Sequence, residues 1–474
     1  MTQHKVLSEI SLLSVICAAA AAQTPVFTSL SKISGQYPHP YWGLVQGLNG
    51  QLYSTTAGGG RHGPGEVFEI TTGGSLTMLD VLKGDSQTAL LLATDGNFYG
   101  TTLKGGRTGA GNVFRVTPEG KYTELHSFCA QSGCPDGEAP NSPLIQAADG
   151  QLYGTTAQGG PGCTAAENAC GTIFKMTPKG EITTVYTFCL QAGCPDGRPG
   201  GAFIQTSDGS FYGTGEGGPG GEIYQLTPSG TLNVLHTFCQ QSGCTDGSGP
   251  TGVVQGPDGA LYGKTAIYST VWRLTLDGTF QVLYTFCTQS GCPDGAGGRG
   301  PLISATHGNL YGTCEGGGAY GYGTIFNITT SGALTVLYNF CPDPGSGCKD
   351  GAEPYGPLFQ ATDGNFYGTT FGGAGGPTNP SGPGSVFKLS MGLAPFVSSL
   401  PAHGKVGKQI SILGTNLTGS TAVSFNGTLA GSFTVNSTGS AITTTVPAGA
   451  TTGPIQVTLG DGNTLSSDVP FQVK

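Results

Sequence analysis

Apolar residues recur along this chain in short bursts of strand length, broken by Gly, Pro, Asn and Asp, with no stretch at helical spacing. One phrase sets the rhythm. Around Asp149 it reads AADGQLYGTTAQGG, and altered copies place Tyr53, Tyr99, Tyr153, Tyr212, Tyr262, Tyr311 and Tyr367 at intervals of 46 to 59 residues. A period near fifty belongs to propellers. The third copy carries four apolar pieces, PLIQA (143–147), QLYGTT (151–156), GTIFKMT (171–177) and EITTVYTF (181–188). Asp149-Gly150 and Pro178-Lys179-Gly180 are hairpin turns that make one face tight, while AQGGPGCTAAENACG and CLQAGCPDGRPGG are long loops on the opposite face.

Four antiparallel strands per unit, repeated radially, bury both faces of every sheet and predict an all-β, seven-bladed propeller over residues 23–390. The recurring aromatics are its expected packing between blades: the seven tyrosines, Phe68, Phe114, Phe174, Tyr224, Trp272, Phe326 and Phe387 in the third strands, and Phe128, Phe188, Phe238, Phe286 and Phe340 ending the fourth. The seventh unit stops at Leu389 without a fourth strand. VFTSLSKI, Val26 to Ile33, aligns with the fourth-strand pattern LTVLYNF and should complete that blade.

After Leu389 the repeated phrase disappears, and a Ser/Thr-rich alternation runs from Ala394 to Lys474. The strands QISILG, AVSFNG, GSFTV, AITTTVP, PIQVTLG and VPFQVK, separated by Gly, Asn or Pro turns, predict a second domain at 391–474, a β-sandwich.

Composition then narrows the compartment. Glycine is 85 of 474 residues without a three-residue period, so it reads as turn chemistry. Charged residues make up 10 % and the net charge is −9, which offers no basic surface for nucleic acid. Lys5, the apolar run from Ile10 to Ala22 and the alanines before Gln23 read as a secretory leader over 1–22, and no other stretch is long and apolar enough to span a membrane. Cysteines fall into close pairs: Cys129 with Cys134, Cys189 with Cys194, Cys239 with Cys244, Cys287 with Cys292, Cys341 with Cys348, and Cys163 with Cys170. These predict disulfides formed in an oxidising compartment, with zinc the alternative and Cys314 left as a small buried residue. A secreted, extracellular monomer is expected, with the periplasm or the cell surface as variants.

Two resemblances bear on this reading. APFVSSLPAHGKVGKQISILGTNLTG, VSFNG and ITTTVPAGATTGPIQVTL resemble the IPT/TIG family of immunoglobulin-like domains, which implies a spacer or binding sandwich without catalytic residues. The repeat phrase at Tyr153 to Phe188 and Tyr311 to Phe340 resembles the Gloeo_Verruco, or choice-of-anchor, repeat of secreted bacterial proteins, which implies repeat architecture and secretion but no mechanism. GPDGALYG at 256–263 is also similar to repeats of streptogramin-lyase-type propellers. Its matching residues are turn and core positions, and no catalytic motif carries over.

The CPDG, CTDG and CKDG loops place Asp136, Asp196, Asp246, Asp294 and Asp350 at equivalent positions of five successive units. A ring of carboxylates could bind calcium or a polyol ligand, and the bland alternative is that Asp-Gly makes the turn after each disulfide. Asp95, Asp149, Asp208, Asp258 and Asp363 read as hairpin-turn residues. Gln46, Gln146, Gln205, Gln255 and Gln360, at one position of the innermost strands, should satisfy backbone groups between blades. The histidines and carboxylates converge on no catalytic motif. The expected role is recognition of an extracellular glycan or protein at the loop face. The alternatives are a carbohydrate-directed hydrolase or lyase, and a structural surface platform.

Overall fold

The computed structural model describes residues 24–33, 39–57, 64–163, 170–191, 194–344, 347–373 and 382–474; the leader expected over 1–22 lies outside them. The chain is all-β, with one 3-10 turn at Thr306–Gly308 among the described residues. Among the same residues, Val26–Ser390 builds seven antiparallel sheets of one design. In the third, Ile145–Gln146, Leu152–Gln158, Gly171–Met176 and Ile182–Phe188 follow in order, and Glu138–Pro140 adds to the end of the second strand. The first strand, expected over 143–147, is a two-residue ladder here: the chain enters it from an irregular loop and leaves at once into the Asp149-Gly150 turn.

Burial explains the strand patterns. Second strands such as Phe98–Thr102 are buried throughout because neighbouring sheets cover both of their faces, whereas fourth strands such as Leu76–Val81 keep partial exposure at the rim. The repeated phrase is a set of fitted parts. Asp95, Asp149, Asp258 and Asp363 each accept the hydroxyl of the tyrosine four residues on, at 2.8 to 3.0 Å, and the glycine after each aspartate supplies the left-handed turn residue. The glycine after the tyrosine faces the third-strand aromatic: Gly100 pairs with Phe114, and a Cβ there would lie 2.5 Å from that ring. Each tyrosine ring in turn meets the next sheet, as Tyr53 does Phe98 at 4.1 Å. The fourth-strand phenylalanines pack the same way, Phe128 on Phe174 and Phe340 on Phe387.

Four of the five glutamines stitch sheet to sheet, whereas Gln255 donates to the Gly259 carbonyl of its own turn at 2.9 Å. The side-chain oxygens of Gln146, Gln205 and Gln360 accept from the backbone of Thr94, Ala148 and Thr306 in the preceding sheets, and Gln46 accepts from Thr362, linking the first sheet to the seventh at 3.0 Å. Val26–Lys32 pairs antiparallel with Ser385–Ser390 and completes the seventh sheet. Its register shifts between Ser29 and Ser31, opposite Phe387, which is where the other six third–fourth pairs also shift. The N-terminal strand therefore reproduces a fourth strand down to its bulge.

Residues 398–473 form two four-stranded sheets and a two-stranded one. The larger two pack over a shared core that includes Ile412, Val423, Phe425, Ile442, Ile455 and Phe471. These sheets rest on the tight-turn face of the repeats. Asn436 and Ser440 donate to the Leu48 carbonyl at 2.8 and 2.7 Å, Thr415 meets Thr362 at 2.9 Å, and Leu413 joins the cluster of Tyr53 and Phe98.

All six expected disulfides are present. Cys129 is bonded to Cys134, Cys189 to Cys194, Cys239 to Cys244, Cys287 to Cys292 and Cys341 to Cys348, each pair closing the loop that follows a fourth strand. The sixth bond, Cys163 to Cys170, lies between the second and third strands of the third sheet. With both sulfurs of every pair spent in these bonds, the zinc alternative has no thiolates left to it there. Cys314 is free and buried. No helix of the described residues is long and apolar enough to cross a membrane.

Candidate ligand site at the long-loop mouth

The five aspartates of the disulfide loops are each engaged inside their own repeat. Asp136 and Asp246 meet His126 and His236 at 2.7 and 3.0 Å; Asp196, Asp294 and Asp350 accept the hydroxyls of Tyr186, Tyr284 and Tyr338 at 2.7 to 2.9 Å. Each also accepts the backbone N–H of the first cysteine of its pair, at 2.9 to 3.1 Å. That cysteine sits in the left-handed region in all five loops, so the carboxylate ties down a strained residue at the end of the outermost strand. Burial raises Asp136, but the bonds from His126 and Cys129 outweigh it and hold its carboxyl below the usual range. The structure does not gather these carboxylates at one point. Among the described residues, the one group of metal-ligating side chains within mutual reach is Cys129, Cys134 and Glu138, whose two sulfurs are spent in a disulfide.

A different set of residues converges where the long loops enter the innermost strands of the sixth, seventh and first repeats. Tyr41 precedes the strand at Val45–Gln46, Tyr355 precedes Phe359–Gln360, and Phe371 follows Phe366–Thr370. Their rings touch: Tyr41 lies 5.8 Å from Tyr355 and 5.0 Å from Phe371, and Tyr355 lies 4.7 Å from Phe371. His39 stacks on Phe371 at 4.3 Å, with its Nδ1 2.7 Å from the Phe371 carbonyl. Arg299, from the sixth repeat, sits 5.7 Å over Tyr355. All three rings stay partly exposed, and Arg299 is exposed.

Carboxylates surround these rings. Burial and a hydrogen bond to Glu315 push the Tyr355 hydroxyl well above its ordinary value. Burial and repulsion from Glu315 raise Glu353, with His39 partly offsetting them. Burial and Asp85, from the second repeat, raise Tyr41 against the opposing charge of Arg299. Glu353 is itself held in the left-handed region at φ 57°, its N–H on the Tyr322 carbonyl and its own carbonyl on the N–H of Phe371. The backbone thus fixes where this carboxylate leaves the loop. The arrangement offers ring faces beside carboxylate acceptors and one guanidinium, which is chemistry suited to stacking a sugar ring and binding its hydroxyls.

Sequence reasoning passed over these residues because none belongs to the repeated phrase. The signal available was their departure from it: PHPYW at 38–42 and AEPYG at 352–356 put tyrosines where other repeats carry non-aromatic residues such as Asn141, Gly200 and Arg299.

A search of curated proteins finds no match. Among solved structures, virginiamycin B lyase from Staphylococcus aureus aligns at 17 % identity over 77 % of this chain and 99 % of that one, with a TM-score of 0.52. A fungal alcohol oxidase of the AA5 family, in complex with copper, aligns at 13 % identity over 95 % of this chain and 100 % of that one, at 0.53. The extracellular domain of a hybrid two-component system from B. thetaiotaomicron aligns at 12 % identity over 95 % of this chain and 57 % of that one, at 0.50. Likeness at such identities shows a propeller-like fold and no activity. The Gloeobacter/Verrucomicrobia repeat model matches residues 17–220 and 198–446, and on that match, which spans most of its length, the chain belongs to the Gloeobacter/Verrucomicrobia repeat family.

Proposed function

We propose that this protein is an extracellular recognition protein that binds a neutral glycan at the long-loop mouth, through Tyr41, Tyr355 and Phe371 with Glu315 and Glu353. The observation that carries the reading is the meeting of three partly exposed rings from two repeats beside half-buried carboxylates. The scaffold is a seven-bladed propeller over 23–390, preceded by a leader at 1–22 and followed by an IPT/TIG-like, immunoglobulin-like sandwich at 391–474. The stitch from Gln46 to Thr362 supports closure of the ring, and the two packed sheets of 398–473 support the sandwich. Six disulfides fit an oxidising, extracellular setting. Asp136, Asp196, Asp246, Asp294 and Asp350 act in this reading as closures of the loops that frame the mouth, not as ligands to calcium or sugar.

A second reading, a carbohydrate-directed hydrolase or lyase, draws on one observation. Glu353 is raised beside a second carboxylate, Glu315, the kind of pairing that separates an acid from a base. A glycan array probed with the purified protein, with calcium and with EDTA, and followed by a product assay on every hit, tests both. Retention without turnover, insensitive to EDTA and lost in Tyr355→Ala, is the expected result. Turnover lost in Glu353→Gln would replace recognition by catalysis, EDTA-sensitive retention would return the ligand role to the aspartates, and silence on every glycan would overturn the proposal.

A further inference from the structure

On the opposite face, the C-terminal sheets and the turns of the second and third repeats enclose an open cleft of about 810 Å³. A cleft of this size takes a mono- or disaccharide, and junctions between packed units are a preferred place for such sites. One wall is the Thr94 backbone and the turn at 147–150; the other is the sheet of Gln409–Leu413 and Ala441–Thr445, on which Ser411 and Thr443 stand side by side in register. Lys405, Lys408 and Lys474 line its edge, three of only 19 Lys and Arg in the chain.

Several side-chain polar groups of this cleft have no partner among the described residues. Among the described residues no carboxylate lies within ion-pair distance of the three ammonium groups. Among the same residues, the Ser411 and Thr443 hydroxyls and the Gln409 amide likewise meet no hydrogen-bond partner. The one acidic side chain in the lining, Asp149, is already committed: its oxygens accept from the Gln151 backbone and side chain and from the Tyr153 hydroxyl, at 3.0 to 3.2 Å. His403 points its Nε2 at the Ala148 carbonyl, 3.3 Å away, and spans the cleft between its two walls. Burial and the Lys474 charge hold that imidazole below its ordinary value, so at neutral pH the cleft's positive charge rests on the lysines.

We infer that this cleft is a second binding site, for a small acidic saccharide carrying a carboxylate, sulfate or phosphate group. The oxyanion lies against Lys405 and Lys408, and the ring hydroxyls meet Ser411, Thr443 and Gln409. Ammonium–oxyanion bonds at an exposed edge are screened by salt, so the site weakens as ionic strength rises. It differs from the long-loop mouth in face, charge and ligand class, and it stands whether or not the mouth binds a neutral glycan.

Isothermal titration of the full protein with glucuronic acid, glucose 6-sulfate, glucose 6-phosphate, inorganic phosphate and glucose tests it. At least one acidic sugar binds more tightly than inorganic phosphate, and glucose does not bind. The double variant K405Q/K408Q loses about tenfold in affinity, as does raising the salt to about 0.3 M. Lys179→Gln, an exposed lysine outside the cleft, and Tyr355→Ala, at the other face, leave the affinity unchanged. The inference falls if none of the probes binds, if glucose binds as well as the acidic sugars, or if K405Q/K408Q binds like the unaltered protein. Because these lysines are exposed and unpaired, the double variant folds normally, which its circular dichroism verifies.

Discussion

Glu222 shows how much a single side chain can depend on its neighbours. It begins a third strand where five of the other repeats carry Thr, Ser or Asn and the first carries Glu66, it is 1 % exposed, and its Oε1 meets no partner. Room for it comes from Gly197, Gly215 and Gly217, where any Cβ would collide with its carboxyl oxygens. Burial first, and the Asp196 charge second, push it from 4.5 up to about 7. A carboxyl raised on folding stabilises the fold fully below its unfolded value and loses that contribution as pH climbs through the folded one. Glu222→Gln should therefore match the parent at pH 4 and exceed it by about 3 kcal/mol at pH 8, read from urea melts at both. Equal differences at the two pH values would contradict the assignment.

Glu353 is the converse case, a residue whose strain serves the proposed mouth. Its counterparts in the fifth and sixth repeats, Gly249 and Gly297, take the same left-handed conformation without a Cβ. Glu353→Gly should leave stability within about 1 kcal/mol of the parent, because relieved strain offsets the added freedom of the unfolded chain. Glycan retention should nonetheless fall about tenfold or more. As pH drops toward 4.5, the ordinary glutamate value, the raised Glu353 takes up its proton early and an acceptor is lost, so retention weakens already above that pH.

At the scale of the element, the N-terminal strand is the test of how the sheets are held together. Phe27 stacks on Tyr338 at 3.9 Å and lies 5.4 Å from Phe387, so it joins the sixth repeat to the seventh from the first described strand of the chain. Phe27→Ala should cost about 3 kcal/mol in urea unfolding, and a loss under about 0.5 would mean that the strand is an ornament. The disulfide loops stabilise differently. Closing a loop this short restricts the unfolded chain by about 2 kcal/mol in the entropy model. Replacing Cys239 and Cys244 together by serine should cost about that, and Asp246→Asn should add to the loss by weakening the tie to the Cys239 N–H.

The elements were legible in the sequence because every residue of the repeated phrase has a job that recurs: Asp95 for the turn, Tyr99 for the neighbouring sheet, Gly100 for the ring of Phe114. The seven sheets, the pairing of Val26–Lys32 and the five recurring disulfides could be read for the same reason, and the sixth, Cys163 to Cys170, from the closeness of its cysteines alone. Repetition was a poorer guide to ligands. Asp136 and its counterparts recur because each loop needs the same closure, and a recurring closure is a folding signature before it is a ring of ligands. The rings at the mouth were hidden for the opposite reason: Tyr41, Tyr355 and Phe371 are single departures, and Tyr41 lies over 300 residues from the other two, so that only tertiary structure brings them together.

For the whole molecule, the two faces are chemically unlike. The long-loop face carries aromatic rings and carboxylates; the tight-turn face is covered in part by the C-terminal sheets, whose lysines border a cleft. On the two proposals above, such a division would give one protein two independent surfaces, and simultaneous engagement would raise the effective affinity of either.

The chain has two tryptophans, and they make the central claim directly measurable. Trp42 adjoins Tyr41 at the mouth and is partly exposed, while Trp272 is fully buried in a position that most other repeats fill with Phe. In Trp272→Phe, emission comes from Trp42 alone. Titrating that variant with a panel of neutral oligosaccharides should give a saturable shift for at least one of them, abolished by adding Tyr355→Ala and untouched by adding Asp246→Asn. An emission that stays flat for every sugar the protein retains, or a shift that survives Tyr355→Ala, would contradict recognition at the long-loop mouth.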